Sequence, residues 1–229
     1  MRGINRLLLL TIGALCMHQL YGKISIPIAR QSCKYSIDIP DGWDTIPQNV
    51  FLQKLGKFPL DIGLYPVCQK DYFDGNYIFI SFLPTMKTLN GFKFDAIVEE
   101  VLAMNRKNMP ANDSLKILNS KSEIVNGKYC IQTEFSALKD SISIACFQSL
   151  YLTKFGYISV TGYKKPNGTY QIKDVSKSVL NGINVESDYQ YQEPQGGARF
   201  SVKQILMAIG IGFVVYLMLA YVPGLLKKK

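Results

Sequence analysis

Carboxylates, cysteines and a single histidine are the side chains of this 229-residue sequence that could take part in chemistry. Asp41 with Asp44, and Asp71 with Asp74, are close enough in sequence for two carboxylates to act as acid and base or to bind Ca²⁺. Both pairs lie among turn-forming residues, and the second lacks the alternating ligands and distal Glu of an EF-hand loop. We interpret them as solvated turn residues, with a carboxylate-based hydrolase or a carrier of Ca²⁺ or a small ligand as the alternative.

The only histidine, His18, lies in an N-terminal segment that we expect to be removed. Without it, catalysis by Ser-His-Asp or Cys-His and metal binding by histidine lack their central residue. The sequence also lacks a C-x-x-C pair, a nucleotide-binding glycine motif and the G-x-S-x-G of hydrolases. It therefore predicts no catalytic residue, no cofactor site and no metal site, and a protein that is not an enzyme.

The first 22 residues have the composition of a secretory signal peptide. Two arginines precede an apolar run over 7–15, about half of the roughly 20 residues that a spanning helix needs. The small residue Gly22 favours cleavage close to it. Lipidation at Cys16 and a short uncleaved anchor are the alternatives, although Leu15 stands where a lipoprotein signal has a small residue.

The other end of the sequence contains a long uncharged segment. Residues 205–222 would extend over about 27 Å as a helix, close to the hydrocarbon thickness of a bilayer. They predict a transmembrane helix over 202–223, followed by a basic tail over 224–229. Because lysines favour the cytoplasmic side, we expect a single-pass membrane protein whose body is extracytoplasmic, either periplasmic or extracellular.

The net charge of +9 is concentrated outside the central part of the chain. Residues 23–201 contain 20 Lys and Arg against 17 Asp and Glu, so this part is nearly balanced. A nucleic-acid-binding domain needs its basic charge on the folded surface. The distribution therefore predicts a membrane as a partner and no nucleic acid.

The stretch YSIDIPDGW, residues 35–43, predicts a strand and a tight turn. Tyr35, Ile37 and Ile39 alternate with polar residues, and the following Pro-Asp-Gly favours a turn because Gly tolerates positive φ. Trp43, the only tryptophan, follows directly, and we expect its ring to be buried against the core.

Further elements follow from periodicity and turn residues. Asn126-Gly127 between two strand-like runs predicts a hairpin. Apolar residues at helical spacing predict one helix over 94–105 and another over 170–183, with Thr169 or Asn167 as the N-cap of the second. Additional strands are predicted over 76–84, 141–152 and 156–163. We therefore expect an α+β domain over 23–185, with an antiparallel sheet covered by helices, and a flexible polar linker over 186–201.

In element order and in the YSIDIPDGW motif, residues 33 to about 185 resemble the PsbP-like superfamily. That group includes the photosystem protein PsbP, a Ran-binding nuclear import factor and bacterial exported lipoproteins. The resemblance implies a central antiparallel sheet with helices on both faces, and a role in binding other proteins or stabilising assemblies. It implies no catalytic residues. We expect a membrane-anchored, extracytoplasmic binding or accessory protein that contacts another envelope protein.

The loop over 65–76 carries the residues that we expect to make such a contact. Tyr65, Tyr72 and Phe73 lie among polar residues, and exposed aromatic side chains in a loop suit a protein interface. The alternative is that these rings cover an edge of the sheet.

Four cysteines remain after signal cleavage, and an exported chain with an even number favours disulfides. Strand parity places Cys130 and Cys146 on opposite faces of a hairpin, so we predict that these two do not bond. If the strands pair across Lys139-Asp140, Cys130 faces Ser149. We expect Cys33 to bond with Cys146 and Cys68 with Cys130, and the alternative is four reduced, separately buried thiols.

Overall fold

The computed structural model describes residues 24–55, 60–107, 115–139 and 142–195. The strands within these ranges are β1 (Ser25–Arg30), β2 (Cys33–Asp38), β3 (Trp43–Thr45), β4 (Ile62–Pro66), β5 (Asn76–Pro84), β6 (Leu115–Val125), β7 (Lys128–Lys139), β8 (Ile142–Thr153), β9 (Gly156–Lys164) and β10 (Ile183–Val185). The α-helices there are α1 (Gln48–Leu55), α2 (Phe94–Lys107) and α3 (Ile172–Asn181), and short 3-10 helices cover Leu89–Gly91 and Ser187–Tyr189.

Seven strands form an antiparallel sheet in the order β3-β4-β5-β9-β8-β7-β6. The predicted strands at β5, β8 and β9 are confirmed. The predicted hairpin is β6–β7, and its turn residues Asn126 and Gly127 have φ of 51° and 75°. Asn and Gly are the residues that adopt positive φ at least cost, which is why this dipeptide predicted the turn.

The predicted strand at YSIDIPDGW is β2, which pairs with β1 and β10 in a separate three-stranded sheet. The turn is confirmed, because the Trp43 amide donates to the Pro40 carbonyl at 3.1 Å and Gly42 has φ of 76°. Trp43 is buried, as predicted, and packs edge-on against Tyr170 with 5.5 Å between ring centroids.

Opposite faces of the large sheet are covered by different elements. One face packs against the three-stranded sheet and α3, which contributes Ile172, Val179 and Leu180. The other face packs against α2 through Ile97 and Val101. The chain is therefore an α+β protein with a large antiparallel sheet and helices on both faces, the arrangement that the PsbP-like resemblance implied.

The second predicted helix is shorter than expected. It begins at Ile172, with Gln171 at the N-cap and no side-chain capping bond, so the prediction of Thr169 or Asn167 as the cap is wrong. Ile183 continues the helical apolar spacing but lies in β10, because its pairing with Ile37 of β2 outweighs local periodicity.

The predicted linker over 186–201 begins too early. Tyr191 is buried, and its hydroxyl donates to the Phe92 carbonyl at 2.7 Å. The Glu193 carboxylate accepts a hydrogen bond from the Phe94 amide at 3.0 Å, which places it at the start of α2. The folded domain thus extends to Glu193 at least, because these polar residues satisfy backbone groups of the domain.

The predicted signal peptide over 1–22 and the predicted transmembrane helix over 202–223 lie outside the described residues. Within the described ranges, none of the helices combines the length and apolar character needed to cross a membrane.

Candidate functional site

A cleft of about 350 Å³ opens where the small sheet meets the edge of the large sheet. Its walls come from β1, from the segment that joins β3 to α1, from α1 itself and from the start of β4. The lining residues are Ile26, Arg30, Thr45, Ile46, Pro47, Gln48, Phe51, Leu52, Leu60, Asp61 and Ile62. The volume lies at the lower end of the range for ligand pockets.

Asp61 is the polar centre of this cleft, and its side chain is only 1% exposed. One carboxylate oxygen accepts from Arg30 Nε at 2.5 Å, and Arg30 Nη2 also contacts it. The other oxygen accepts from the Tyr35 hydroxyl at 2.6 Å and from the Phe82 amide at 2.5 Å. Asp61 therefore joins β1 and β2 of the small sheet to β5 of the large sheet.

The local sequence explains why Asp61 can be buried. It directly precedes β4, and its own amide donates to the Ile80 carbonyl at 3.0 Å, which fixes its backbone beside β5. A buried carboxylate needs a counter-charge and hydrogen-bond donors, and Arg30 and Tyr35 supply them. Burial, together with the Asp61 charge, raises the pKa of Tyr35, so this hydroxyl remains a donor at neutral pH.

Unlike Asp61, Arg30 is partly accessible to solvent, and its side chain is 47% exposed. A guanidinium carries five N–H groups in a rigid fork, and Asp61 engages two of its three nitrogens. The cation is thus held in one place by a buried partner while it borders the cleft. Beside it, the apolar walls include Phe51 and Leu52, the latter 55% exposed. This arrangement suits an apolar group with an adjacent hydrogen-bond acceptor.

The two predicted carboxylate pairs lie elsewhere, at exposed positions. Asp41, Asp71 and Asp74 lie in turns or bends, whereas Asp44 lies in β3. Asp44 accepts a hydrogen bond from the Thr45 amide at 2.6 Å, and Asp71 accepts one from the Phe73 amide at 2.9 Å. These are local backbone contacts made by exposed side chains, as predicted, although Asp44 lies in a strand and not in a turn. Among the described residues, no group of three or more His, Cys, Asp and Glu is placed to hold a metal ion.

The predicted contact loop is only partly exposed. Phe73 is buried in the core and packs against Tyr77 with 5.6 Å between ring centroids, so it is not available to a partner. Tyr65 and Tyr72 are half-buried and lie edge to face at 4.7 Å. Tyr65 stands on β4 opposite Asp44 of the short edge strand β3. These rings therefore cover the sheet edge, which is the alternative that the sequence left open.

All four described cysteines are free thiols in this structure. Cys33 and Cys130 lie in the core on the α3 side of the large sheet, whereas Cys146 lies on the other side. The sheet thus separates Cys33 from Cys146. Cys68 follows β4, which is four strand positions from β7 and Cys130, or roughly 19 Å. Neither predicted disulfide is formed, because neither pair is brought together.

Cys130 and Cys146 do lie on opposite faces, as predicted, and they are not bonded. The predicted register is nevertheless wrong by two residues. Cys130 pairs with Tyr151 instead of Ser149, and Cys146 pairs with Phe135. A shift of two residues preserves the face of each side chain, so the two cysteines lie on opposite faces in either register.

In thiol labelling of the native protein, one cysteine should react much faster than the other three. Burial raises the pKa of Cys33 and of Cys130 to about 12 and raises the pKa of Cys146, whereas Cys68 is exposed. We expect Cys68 to react at least about 1,000-fold faster with iodoacetamide, since the thiolate is the nucleophile. Mass spectrometry of labelled peptides measures each site, and unfolding in urea should equalise them. Equally rapid labelling of Cys33 in the native state would contradict the structure.

Neither Arg30 nor Asp61 was predicted from the sequence. Arg30 follows a short apolar run and Asp61 precedes one, and neither run has a clear period. The two residues are 31 positions apart in the chain. The one available signal was an aspartate between Leu60 and Ile62, since a charge within an apolar run is unusual unless it is paired.

No protein-family model matches the sequence, and no curated protein sequence matches it. Among solved structures, the chain is similar to the PsbP protein (CyanoP) of the cyanobacterium Synechocystis, with 15% identity, coverage of 73% of this chain and 95% of that chain, and a TM-score of 0.44.

Two further structures are similar to this chain. LpqN of Mycobacterium tuberculosis, described as involved in cell envelope biogenesis, is 14% identical, with coverage of 71% of this chain and 90% of its own and a TM-score of 0.46. A protein of Bacteroides thetaiotaomicron is 10% identical, and the match covers 74% of this chain but only 50% of that one, with a TM-score of 0.44. At these identities the likeness concerns the fold alone.

Proposed function

We propose that this chain is a membrane-anchored, extracytoplasmic accessory protein that binds another envelope protein and is not an enzyme. The apolar segments at 7–15 and 205–222 support export and anchoring. The observation that supports binding is the cleft beside Arg30, which combines apolar walls with a fixed, half-exposed cation.

Most of the accessible lining of this cleft is polar, but the cleft also presents apolar side chains beside an arginine. The centres of protein interfaces commonly contain an apolar side chain inserted into a pocket, and arginine is enriched there. Leu52 lies at the surface of the cleft and Phe51 lies deeper, so an incoming apolar side chain would contact both. The Arg30 guanidinium would donate to a carbonyl or carboxylate of the partner.

A carrier of a small ligand is the second candidate function, because a cleft of about 350 Å³ also lies within the range of small-molecule sites. The two functions differ in what occupies the cleft. A carrier would be stabilised by a small molecule extracted from the native membrane, and a cross-linker in the cleft would then capture no protein.

Site-specific photo-cross-linking in the native organism tests the proposal. We expect a photoreactive amino acid at Leu52 of the full chain to form one discrete, reproducible protein adduct. The same amino acid at Leu118, which is 63% exposed on the opposite edge strand β6, is the matched control and should not form that adduct. The identity of the adduct is read by mass spectrometry.

Arg30→Gln provides the second arm of this experiment. The side chain stays long and polar but loses its charge and part of its donor fork, so the Leu52 adduct should fall severalfold while expression stays unchanged. Two outcomes would contradict binding in the cleft. One is the same adduct from Leu52 and Leu118, and the other is a Leu52 adduct whose yield is unchanged by Arg30→Gln.

A further inference from the structure

Two adjacent loops at one end of the large sheet form an apolar tip with lysines beside it. The first loop follows β5 and contains Met86 and Lys87, and the second is the β8–β9 turn, Lys154-Phe155. These four residues are called the loop tip below. Met86 is 91% exposed, and Phe155 is half-buried with Lys154 Nζ 5.1 Å from its ring centroid.

The loop tip is held in place by backbone hydrogen bonds. The Thr85 amide donates to the Phe155 carbonyl at 2.9 Å, and the Leu89 amide donates to the Lys154 carbonyl at 2.7 Å. The Thr88 hydroxyl also donates to the Lys154 carbonyl, at 3.1 Å. The methionine is therefore presented to solvent by a fixed loop whose two ends are bonded to the neighbouring turn.

A single exposed apolar residue is common on protein surfaces, so Met86 alone indicates little. The combination is more informative, since interfacial membrane-binding surfaces place apolar side chains next to lysines. The apolar groups enter the boundary between headgroups and acyl chains, and the ammonium groups remain with anionic headgroups. Asp95 and Glu193 lie at the same end of the sheet, and Glu193 is bonded to the start of α2.

The described chain ends at this end of the sheet, and the predicted membrane span would follow from here. Glu193 contacts the Phe94 amide at the start of α2, next to the loop tip in the fold. The predicted span begins at residue 202, nine residues later, which corresponds to about 30 Å at full extension and about 17 Å as a coil. The opposite end of the sheet is farther by the nine-residue length of β5, about 27 Å.

We propose that the loop tip is a lipid-binding surface, through which the domain rests on the anionic headgroups of the bilayer that holds its anchor. This inference depends on the anchoring in the proposed function. It adds an orientation to that function, because the end of the domain with Val67 and the 164–170 turn would then face away from the membrane.

Quenching by brominated lipids tests this contact on the full chain in vesicles of phosphatidylcholine and phosphatidylglycerol. Met86→Trp places an indole at the loop tip, and Val67→Trp places one at the opposite end, where Val67 is 58% exposed. Buried Trp43 is common to both variants and serves as the background. We expect brominated lipids to quench the Met86→Trp emission, with a blue-shifted maximum, and to leave the Val67→Trp emission at the background level.

Charge-neutralising variants test how much the lysines of the loop tip contribute to lipid binding. Removing both cations by Lys87→Gln and Lys154→Gln should weaken the contact about 30-fold, since each lysine near an anionic surface contributes about a fivefold effect. Lys164→Gln with Lys165→Gln, at the other end of the sheet, should leave the quenching of Met86→Trp unchanged. Equal quenching of the Met86→Trp and Val67→Trp variants, or no effect of the loop-tip lysines, would overturn the proposal.

Alkaline extraction separates this proposal from the proposed anchoring. A chain that stays with the vesicles while Met86→Trp is not quenched overturns the lipid-binding surface alone. A chain that is extracted but whose Met86→Trp variant is quenched on added vesicles refutes the anchor and supports the surface. A chain that is extracted and not quenched refutes both.

Discussion

Trp43→Ala is expected to destabilise the domain by about 3–5 kcal/mol, the usual cost of deleting a large buried aromatic side chain. Trp43 is only 6% exposed and belongs to the core between the two sheets. Its ring partner Tyr170 is fixed in turn, because the buried Asn76 side chain accepts from the Tyr170 amide at 2.9 Å and donates to its carbonyl at 3.2 Å. The surroundings are therefore bonded in place and cannot readily fill the space left by the indole.

Urea unfolding of the full chain in detergent, followed by pulse proteolysis, measures this change. Trp43→Phe retains a ring against Tyr170 and should cost less than half as much. Met86→Ala, at a 91% exposed position, is the control and should change the free energy of unfolding by less than about 0.5 kcal/mol. A Trp43→Ala effect as small as that of the control would show that the indole is not part of the core.

Local sequence patterns predicted the elements that local physics determines. Alternation identified β2, the Asn126-Gly127 dipeptide identified the β6–β7 hairpin, and apolar spacing identified α2. Each of these depends on residues that are neighbours in the chain. The segments that produced no prediction, β1, β3, β4 and α1, are short or lack a clear period. Of these, β3 and β4 pair with strands that follow only after an intervening helix or loop.

The choice of partner strands could not be read from the same patterns. The parity of Cys33 correctly placed it toward a core, but the large sheet has a core on each face, and Cys33 belongs to the one opposite Cys146. Only the knowledge that β2 lies in a separate sheet distinguishes the two faces. A disulfide prediction that needs this knowledge therefore fails even when every strand is assigned correctly.

The candidate site was unpredictable for the same reason. Arg30 and Asp61 meet where the small sheet, which contains β1, packs against the large sheet, which contains β4. Local sequence patterns do not indicate which two sheets pack together. The carboxylates that the sequence singled out are those with another carboxylate nearby in the chain. The carboxylate that the structure buries has its partners 31, 26 and 21 positions away.

Asp61→Ala is the second large effect, with an expected loss of about 3 kcal/mol of stability. The substitution leaves the Tyr35 hydroxyl and the Phe82 amide without their acceptor in a buried place, and each such loss costs about 1–3 kcal/mol. Loss of the Arg30 partner adds less than it would in a fully buried pair, since Arg30 is 47% exposed and water can solvate it.

The free energies of unfolding of several variants, measured by the same urea unfolding, show whether Asp61 joins the two sheets or only forms an ion pair with Arg30. Tyr35→Phe removes one donor and should cost about 1 kcal/mol, whereas the control Glu99→Ala, on the exposed side of α2, should cost less than about 0.5 kcal/mol. In the double variant Asp61→Ala with Tyr35→Phe, the combined loss should be smaller than the sum, because the second change removes a donor that the first had already left unpaired. Strict additivity would mean that Asp61 does not hold the two sheets together through Tyr35, and the Arg30 cleft would then lack the fixed wall on which its role in binding depends.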